Sequence, residues 1–286
     1  IAENGLVSRL IAFDYFSGLD RILFQADHVT VARRDQLEEH LSQITWVPGA
    51  AVLTELVGTK EQSEVERIRR AQQITEAVFD HILEVIEPGM SERDIAAEIT
   101  YHHLKRGAEK MAFDPIVASG PNGALPHARP TDRTLRTGDV VVIDMGGIRD
   151  GYASDMTRTI AIGQPSQAAR KGYEVVRRAQ QRALDVAEAG MTGKELDAVA
   201  RDVIEQAGMG SAFSHGLGHG IGLQVHEWPR VSRTVEQELP AGACVTIEPG
   251  VYVPDDGYGV RIEDIIVLRE NGCECLTSTS KELIRL

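Results

Sequence analysis

Two stretches of the chain carry apolar residues at helical spacing. Ile68, Val78, Ile82 and Val85 mark the first, and Val176, Leu184 and Val186 the second, as expected of helices with one buried face. Each is followed by a capping signature, Gly89-Met90-Ser91 with Asp94 and Gly190-Met191-Thr192 with Glu195. Ser91 and Thr192 would cap a second helix in each case, with the acid closing a capping box. Strand patterns come next. VVVIDMG and SDMTRTIAIG flank Arg149-Asp150-Gly151, and CVTIEPGVYV and GVRIEDIIVL flank Pro254-Asp255-Asp256-Gly257; both predict hairpins. Before the second pair lies SHGLGHGIGLQVHEWP (214–229). His215 and His219 have the spacing of two ligands on a helix, but the segment holds four glycines, each costing a helix about 1 kcal/mol. The alternation of Ile221, Leu223 and Val225 predicts an extended strand instead.

These elements occur twice in the same order. Arg69-Arg70-Ala71-Gln72-Gln73 recurs as Arg177-Arg178-Ala179-Gln180-Gln181, and Gly89 answers Gly190, so seven residues (about two helical turns) are missing from the second copy. His127-Ala128-Arg129-Pro130 answers His226-Glu227-Trp228-Pro229, and LRTGDVVVIDMGG (135–147) answers LPAGACVTIEPGV (239–251). Gly151-Tyr152 answers Gly257-Tyr258. An internal duplication follows, two halves related by a pseudo-twofold axis.

The repeat places acids in pairs. Asp144 and Asp155 are centred on the first turn, and Glu248 and Glu263 on the second. Each pair is therefore expected to face across a ladder and share a face. Opposed like charges destabilise a sheet, and the neighbours Val142, Ile143, Ile247 and Ile262 predict buried strands, where unpaired charge costs several kcal/mol. Four solvated surface acids would be the alternative, but Asp and Glu are depleted from strands and here they recur symmetrically. Cations make the arrangement tolerable. Four carboxylates can bridge two metals roughly 3.5–4 Å apart and activate a shared water. Aligning the HxxP motifs sets Gly120 opposite His219, so His219 is an imidazole donor present in one half only. One imidazole tilts the preference toward Mn, Fe, Co or Zn over Ca. His127 and His226 form a symmetric pair, read as polarising groups near a substrate.

Composition narrows the picture. The 286 residues are 42% apolar and 26% charged, as in globular domains with a sizeable core. A net charge of −13 argues against nucleic acid or an anionic membrane as partner, and no run approaches the ~20 apolar residues of a membrane span. Cys244, Cys273 and Cys275 provide no disulfide framework, which suggests a reducing, cytoplasmic compartment; the C-x-C pair has no metal or redox spacing. The first residues lack a signal-peptide layout, and a start at Ile1 rather than Met suggests a fragment.

IDMGG…SDMTRT, HGLGHGIGLQVHE, TIEPGVY and GVRIEDIIVL together resemble the pita-bread metallopeptidases, a family that includes prolidase, aminopeptidase P, methionine aminopeptidase and creatinase. The resemblance runs from about Glu61 to the C-terminus. It implies an α+β, duplicated pita-bread (creatinase/aminopeptidase) fold over 59–286, preceded by a partial α/β N-terminal domain and linker over 1–58. RILFQADHVTVARRDQLEEHL looks like the end of that domain. The implied metal ligands are Asp144, Asp155, His219, Glu248 and Glu263, holding two divalent ions, with Mn first and Co, Zn or Fe as alternatives. Substrate-side histidines map to His127, His215 and His226.

Arg261 in the Arg-x-Glu-Asp pattern and HEWPR (226–230) resemble the proline-specific branch. There Arg230 would hold the C-terminal carboxylate of a short peptide with proline second, and Arg261 would stand with it on the substrate side. The resemblance implies a cytoplasmic homodimer that hydrolyses the bond before proline. A metal-bridging hydroxide would attack, His226 would stabilise the oxyanion, Glu248 would shuttle the proton and His127 would orient the substrate. Tyr252 reads as a packed core tyrosine rather than a hydrogen-bond donor. A methionine aminopeptidase and a non-catalytic interaction module are the rivals. A dead copy should have lost ligands, and none of the five is missing; creatinase-like chemistry is disfavoured because that branch works without metal.

Overall fold

The computed structural model describes residues 16–26, 28–49 and 51–286, and the chain divides into two compact units, 1–57 and 58–286. In the first, the parallel strands β1 (Arg21–Phe24) and β2 (Thr45–Pro48) are joined through helix α1 (Val31–His40), with Leu37, Leu41 and Ile44 as a small core. Parallel neighbours need such a crossover. Helix α2 (Ala51–Gly58) follows.

The second unit holds the duplication. Its first half runs α3 (Gln62–Val85), α4 (Glu92–Lys105), β3 (Lys110–Met111), β4 (Ile116–Ser119), β5 (Val140–Met145), β6 (Gly147–Arg149), β7 (Tyr152–Ala153) and β8 (Met156–Ala161). Its second half runs α5 (Gln167–Val186), α6 (Gly193–Gln206), β9 (Gly218–Gly220), β10 (Glu227–Val231), β11 (Cys244–Ile247), β12 (Gly250–Val253), β13 (Tyr258–Arg261), β14 (Asp264–Arg269) and β15 (Gly272–Cys275). Beyond the Arg-Arg-Ala-Gln-Gln motif, α5 is shorter than α3 by the seven residues the sequence lacks. Both capping boxes form, Ser91 with Asp94 and Thr192 with Glu195. The equivalence extends to the backbone: Gly89 and Gly190 donate to the carbonyls of Leu135 and Leu239, each at 2.9 Å.

Strand alternation decides what faces what. Val141, Ile143 and Met145 pack with Val78, Ile82, Ile95 and Ile99 of α3 and α4. Val245 and Ile247 pack with Val176, Leu196 and Ile204 of α5 and α6. Successive side chains of a strand point to opposite faces, so Asp144 in one half and Thr246 and Glu248 in the other turn away from their helices. Between the halves, Thr159 on β8 exchanges hydrogen bonds with the Arg261 backbone, and the Glu263 amide donates to the Thr157 carbonyl at 3.1 Å.

The same seam holds a buried ion pair. Arg158, 2% exposed, donates to Asp264 at 2.8 Å and to the carbonyls of Thr157, Glu263, Thr279 and Ser280. Asp264 also accepts from Gln180 and Lys281. Removing one member of a buried pair costs about 3–5 kcal/mol, so Asp264→Ala is expected to lower the unfolding free energy by that amount in urea denaturation. No helix among the described residues is long and apolar enough to cross a membrane.

Candidate metal centre

The first acid pair differs from the sequence expectation by one step. The ladder pairs Asp144 with Thr157, not with Asp155, and pairs Ile148 with Ala153. Asp150 and Gly151 both take positive φ, 51° and 78°, as a two-residue primed turn requires, and the hairpin centre therefore falls one residue later. On this register Asp155 lies opposite Gly146, two places along from Asp144. A shift of two keeps the face, and both acids line the same cavity. A Cβ at Gly146 would stand 2.0 Å from the Ser154 carbonyl oxygen, so only glycine fits where this ladder breaks.

The second pair follows the expected register. Ile247 pairs with Asp264 and Gly250 with Arg261, which sets Glu248 opposite Glu263 in the gap between the two ladders. His219 stands on β9, paired with β10 and β11. The extended strand expected over 221–225 does not form. Strand β9 is confined to Gly218–Gly220, and the chain then bends, with Gly222 donating to the Gln224 carbonyl and Gln224 to Glu227. Close approach fixes β9 as well, because a Cβ at Gly218 would stand 1.9 Å from the Thr246 carbonyl oxygen.

The donors converge. Ligand atoms of Asp155, His219 and Glu263 all lie within 4.8 Å of one another, and His219 Nε2 is 3.3 Å from Glu248 and 3.6 Å from Asp155. His219 Nδ1 meets the Gly220 carbonyl at 3.0 Å. A carbonyl only accepts, so Nδ1 carries the proton, and in the neutral ring Nε2 presents a lone pair to two carboxylates. Burial, first of all, holds the His219 pKa below its usual value and so favours that neutral ring.

Burial also pushes the acids up. The Asp155 carboxyl is raised well above its ordinary range by burial and by repulsion from Glu263, Asp144 and Glu248. Glu263 is raised by burial with Glu248 and Asp144, and Glu248 is pushed up to about 7. Metal ligands must be deprotonated, so a raised carboxyl pKa extends proton competition upward toward neutrality. Metal uptake is therefore expected to strengthen as pH rises from about 5 to 8, which metal-binding titrations at several pH values would check. Among the described residues, Asp144 Oδ1 is buried with no hydrogen-bond partner. An orphaned oxygen, an outward imidazole lone pair and mutually repelling acids suit hard or borderline divalent cations.

One permanent cation touches this cluster. Arg261, 4% exposed, donates to Asp144 at 2.6 Å, to the Tyr252 hydroxyl at 2.8 Å, to Thr157 at 3.1 Å and to the Pro126 carbonyl at 3.2 Å. The Tyr252 hydroxyl in turn meets His215 Nε2 at 2.9 Å, while His215 Nδ1 meets the Gly216 carbonyl. Tyr252 is buried, as expected of a core residue, yet its hydroxyl is a relay between Arg261 and His215. Burial, then Arg261, pushes the His215 pKa down to about 4. Both of its nitrogens are engaged.

A cavity of about 410 Å³ opens above the acids, walled by Phe113, Ile116 and Pro126, with His127, His226 and Arg230 also lining it. All three are exposed. The His226 ring stands edge-on to His219, centroids 4.3 Å apart. Among the described residues the Arg230 guanidinium has no hydrogen-bond or ion-pair partner, so it is free to take a ligand carboxylate.

Sequence reasoning missed the groups that hold these side chains. Thr157 donates to Glu263 at 2.7 Å, and Thr246 accepts from the His219 amide and donates to Glu248. Each threonine is two residues from an acid, so the period-2 alternation that placed the acids could have found them. Buried Glu92 takes hydrogen bonds from Ser119, Asn122 and Thr131 and fastens the segment carrying His127. Asp197 and Arg201 do the same for the segment carrying His215, and Lys60 with Glu227 for the bend before β10. Asp197 and Arg201 are an i,i+4 pair, but the segments these groups fasten lie 12 to 167 residues from them and leave no local signal.

Residues 66–270 match metallopeptidase family M24. The chain is 46% identical over 233 residues to an Xaa-Pro dipeptidase of Pyrococcus furiosus, covering 82% of this chain and 67% of that one. It is 47% identical over 225 residues to an Xaa-Pro dipeptidase of Pyrococcus horikoshii, covering 79% and 64%. The chain thus spans about two thirds of the length of these relatives. It superposes on the crystal structure of an X-Pro aminopeptidase from Thermotoga maritima with a TM-score of 0.94 at 36% identity, covering 100% of this chain and 81% of that one. The α+β fold of two repeated halves is the pita-bread fold. With the family match extending over most of its length and a relative at 46% identity, the chain belongs to metallopeptidase family M24.

Proposed function

We propose that this chain is a metal-dependent exopeptidase that hydrolyses the peptide bond before proline in short peptides. One observation carries the reading: the acids of both halves and His219 line one cavity with Arg230, whose guanidinium has no partner among the described residues. We assign Asp144, Asp155, His219, Glu248 and Glu263 as ligands of two divalent ions, Mn first among Mn, Co, Zn and Fe. Bound divalent metal supplies Lewis acidity and a water acidified toward neutral pH. The protein's own groups do the rest. His226 donates to the oxyanion developing on the carbonyl before proline, and His127 orients that carbonyl. Glu248 takes a proton from the attacking water and delivers it to the prolyl nitrogen as the C–N bond breaks. Arg230 pairs with the substrate's C-terminal carboxylate, and the wall of Phe113, Ile116 and Pro126 suits an apolar ring. His215 serves through Tyr252. A homodimer in the cytoplasm completes the reading; unpaired Cys244, Cys273 and Cys275 accord with a reducing compartment.

The test is hydrolysis of Gly-Pro, Met-Pro, Gly-Pro-Ala and Met-Ala-Ser after loading with Mn²⁺. Cleavage of the Xaa-Pro peptides is expected. Cleavage of Met-Ala-Ser alone would make the protein a methionine aminopeptidase, and cleavage of none would favour an interaction module. Charged hydrogen bonds contribute roughly 1.5–3 kcal/mol. Arg230→Ala is therefore expected to raise KM for a dipeptide about 10- to 100-fold with kcat little changed, read from initial-rate kinetics.

A further inference from the structure

On helices α3 and α4, away from the acids, a second group of donors comes together. His81 on α3 and Glu98 and His102 on α4 place one ligand atom each within 4.8 Å of the others. His102 Nε2 lies 3.4 Å from Glu98 Oε2, and His81 Nε2 lies 3.9 Å from the same oxygen. The two imidazole rings have centroids 3.6 Å apart and are tilted by 38°. Glu98 and His102 are four residues apart, so they share one face of α4, and packing of α3 against α4 brings His81 to it. We propose that His81, Glu98 and His102 form a second metal site, for Zn²⁺ or a similar borderline divalent cation, with water in the remaining position.

The geometry is close to what such an ion needs. Zinc–nitrogen and zinc–oxygen bonds of about 2.0–2.2 Å in a tetrahedron set neighbouring donors roughly 3.4 Å apart; the His102–Glu98 pair already fits, the His81–Glu98 pair must close by about half an ångström, and the His81–His102 pair lies within 4.8 Å. Two imidazoles with one carboxylate favour zinc over calcium or magnesium. The duplication supplies an internal comparison. On the register that equates Ser91 with Thr192, the counterparts of Glu98 and His102 are Val199 and Val203, so this helix pair does not need polar groups there to fold. His81 lies in the stretch between Gln73 and Gly89, where the two copies differ in length.

Arg106 sets the condition for binding. Its Nη1 donates to His102 Nδ1 at 2.6 Å, so the His102 proton sits on Nε2, toward Glu98. A neutral imidazole that binds metal through Nε2 must carry its proton on Nδ1 instead. Metal therefore binds as Arg106 lets go and the ring changes tautomer, and Arg106 competes with the ion.

Equilibrium dialysis of the full chain against Zn²⁺, followed by elemental analysis, tests this. The wild type is expected to hold one more equivalent than a His81→Ala/His102→Ala double variant that keeps its peptidase activity. Glu98→Gln, which leaves both histidines, should weaken that equivalent about 10-fold, and Arg106→Ala should tighten it several-fold. Should the double variant fail to fold, His81→Phe, which keeps the ring packing, replaces it. Equal zinc content in wild type and histidine variants, or a zinc affinity indifferent to Glu98 and Arg106, would overturn the proposal. Loss of peptidase activity is not the readout, so the result stands apart from the catalytic reading.

Discussion

Asp155→Asn is expected to lose bound metal and peptidase activity together, with kcat/KM falling on the order of 10⁴-fold, about 5 kcal/mol of transition-state stabilisation. The substitution keeps the shape of the side chain and removes one charge from the group that Asp155, His219 and Glu263 form. Activity alone would not distinguish a lost ligand from a misfolded site, but stability does. A buried acid raised well above its ordinary pKa by its neighbours is a liability when ionised without a counter-ion. The folded state then holds more protons than the unfolded chain, so its stability falls as pH rises through that acid's titration. Asparagine imitates the protonated acid at every pH. After treatment with a chelator at pH 8, the variant should therefore be more stable than the similarly treated wild type, while metal addition should stabilise only the wild type strongly. Thermal unfolding with and without chelator reads both effects. Normal turnover in Asp155→Asn, or metal content equal to the wild type's, would remove the basis of the assignment.

Much of this centre was legible in the chain because a duplicated sequence carries its own control. The repeat singled out four acids, and the period of two along a strand keeps Asp144 and Asp155 on one face because the register differs from the expected one by two residues. For that reason the one-residue error at the Asp150-Gly151 turn moved Asp155 from opposite Asp144 to a diagonal position without turning it away. The starts of α4 and α6 were equally readable, since capping boxes are local and chemical. The bend after β9 was not. Ile221, Leu223 and Val225 alternate like a strand, but Glu227 takes the Gln224 amide and pairs with Lys60, 167 residues away in the chain, and no local pattern announces such a partner. Arg261 was visible as a motif residue, yet whether its guanidinium faces substrate or Asp144 depends on how the halves meet.

That difference leads to the second large effect. As a group that binds substrate directly, Arg261 would mainly set KM; as the cation that touches Asp144, Thr157 and Tyr252, it would set the position of a proposed metal ligand and of the His215 relay. Arg261→Lys is the informative change, because lysine keeps the charge but cannot reproduce a planar fork reaching several acceptors at once. We expect kcat to fall about 100-fold or more, since ligand placement is felt in the chemical step, with KM for Xaa-Pro dipeptides within a few-fold. Metal affinity should drop about 10- to 100-fold, as when the groups that orient a ligand are removed. Arg261→Met would strand Asp144 and is expected to cost roughly 3–5 kcal/mol of stability, with partial recovery in Asp144→Asn/Arg261→Met if the two side chains act as a pair. A lysine variant whose KM rises by orders of magnitude while kcat and metal content hold would instead place Arg261 against the substrate.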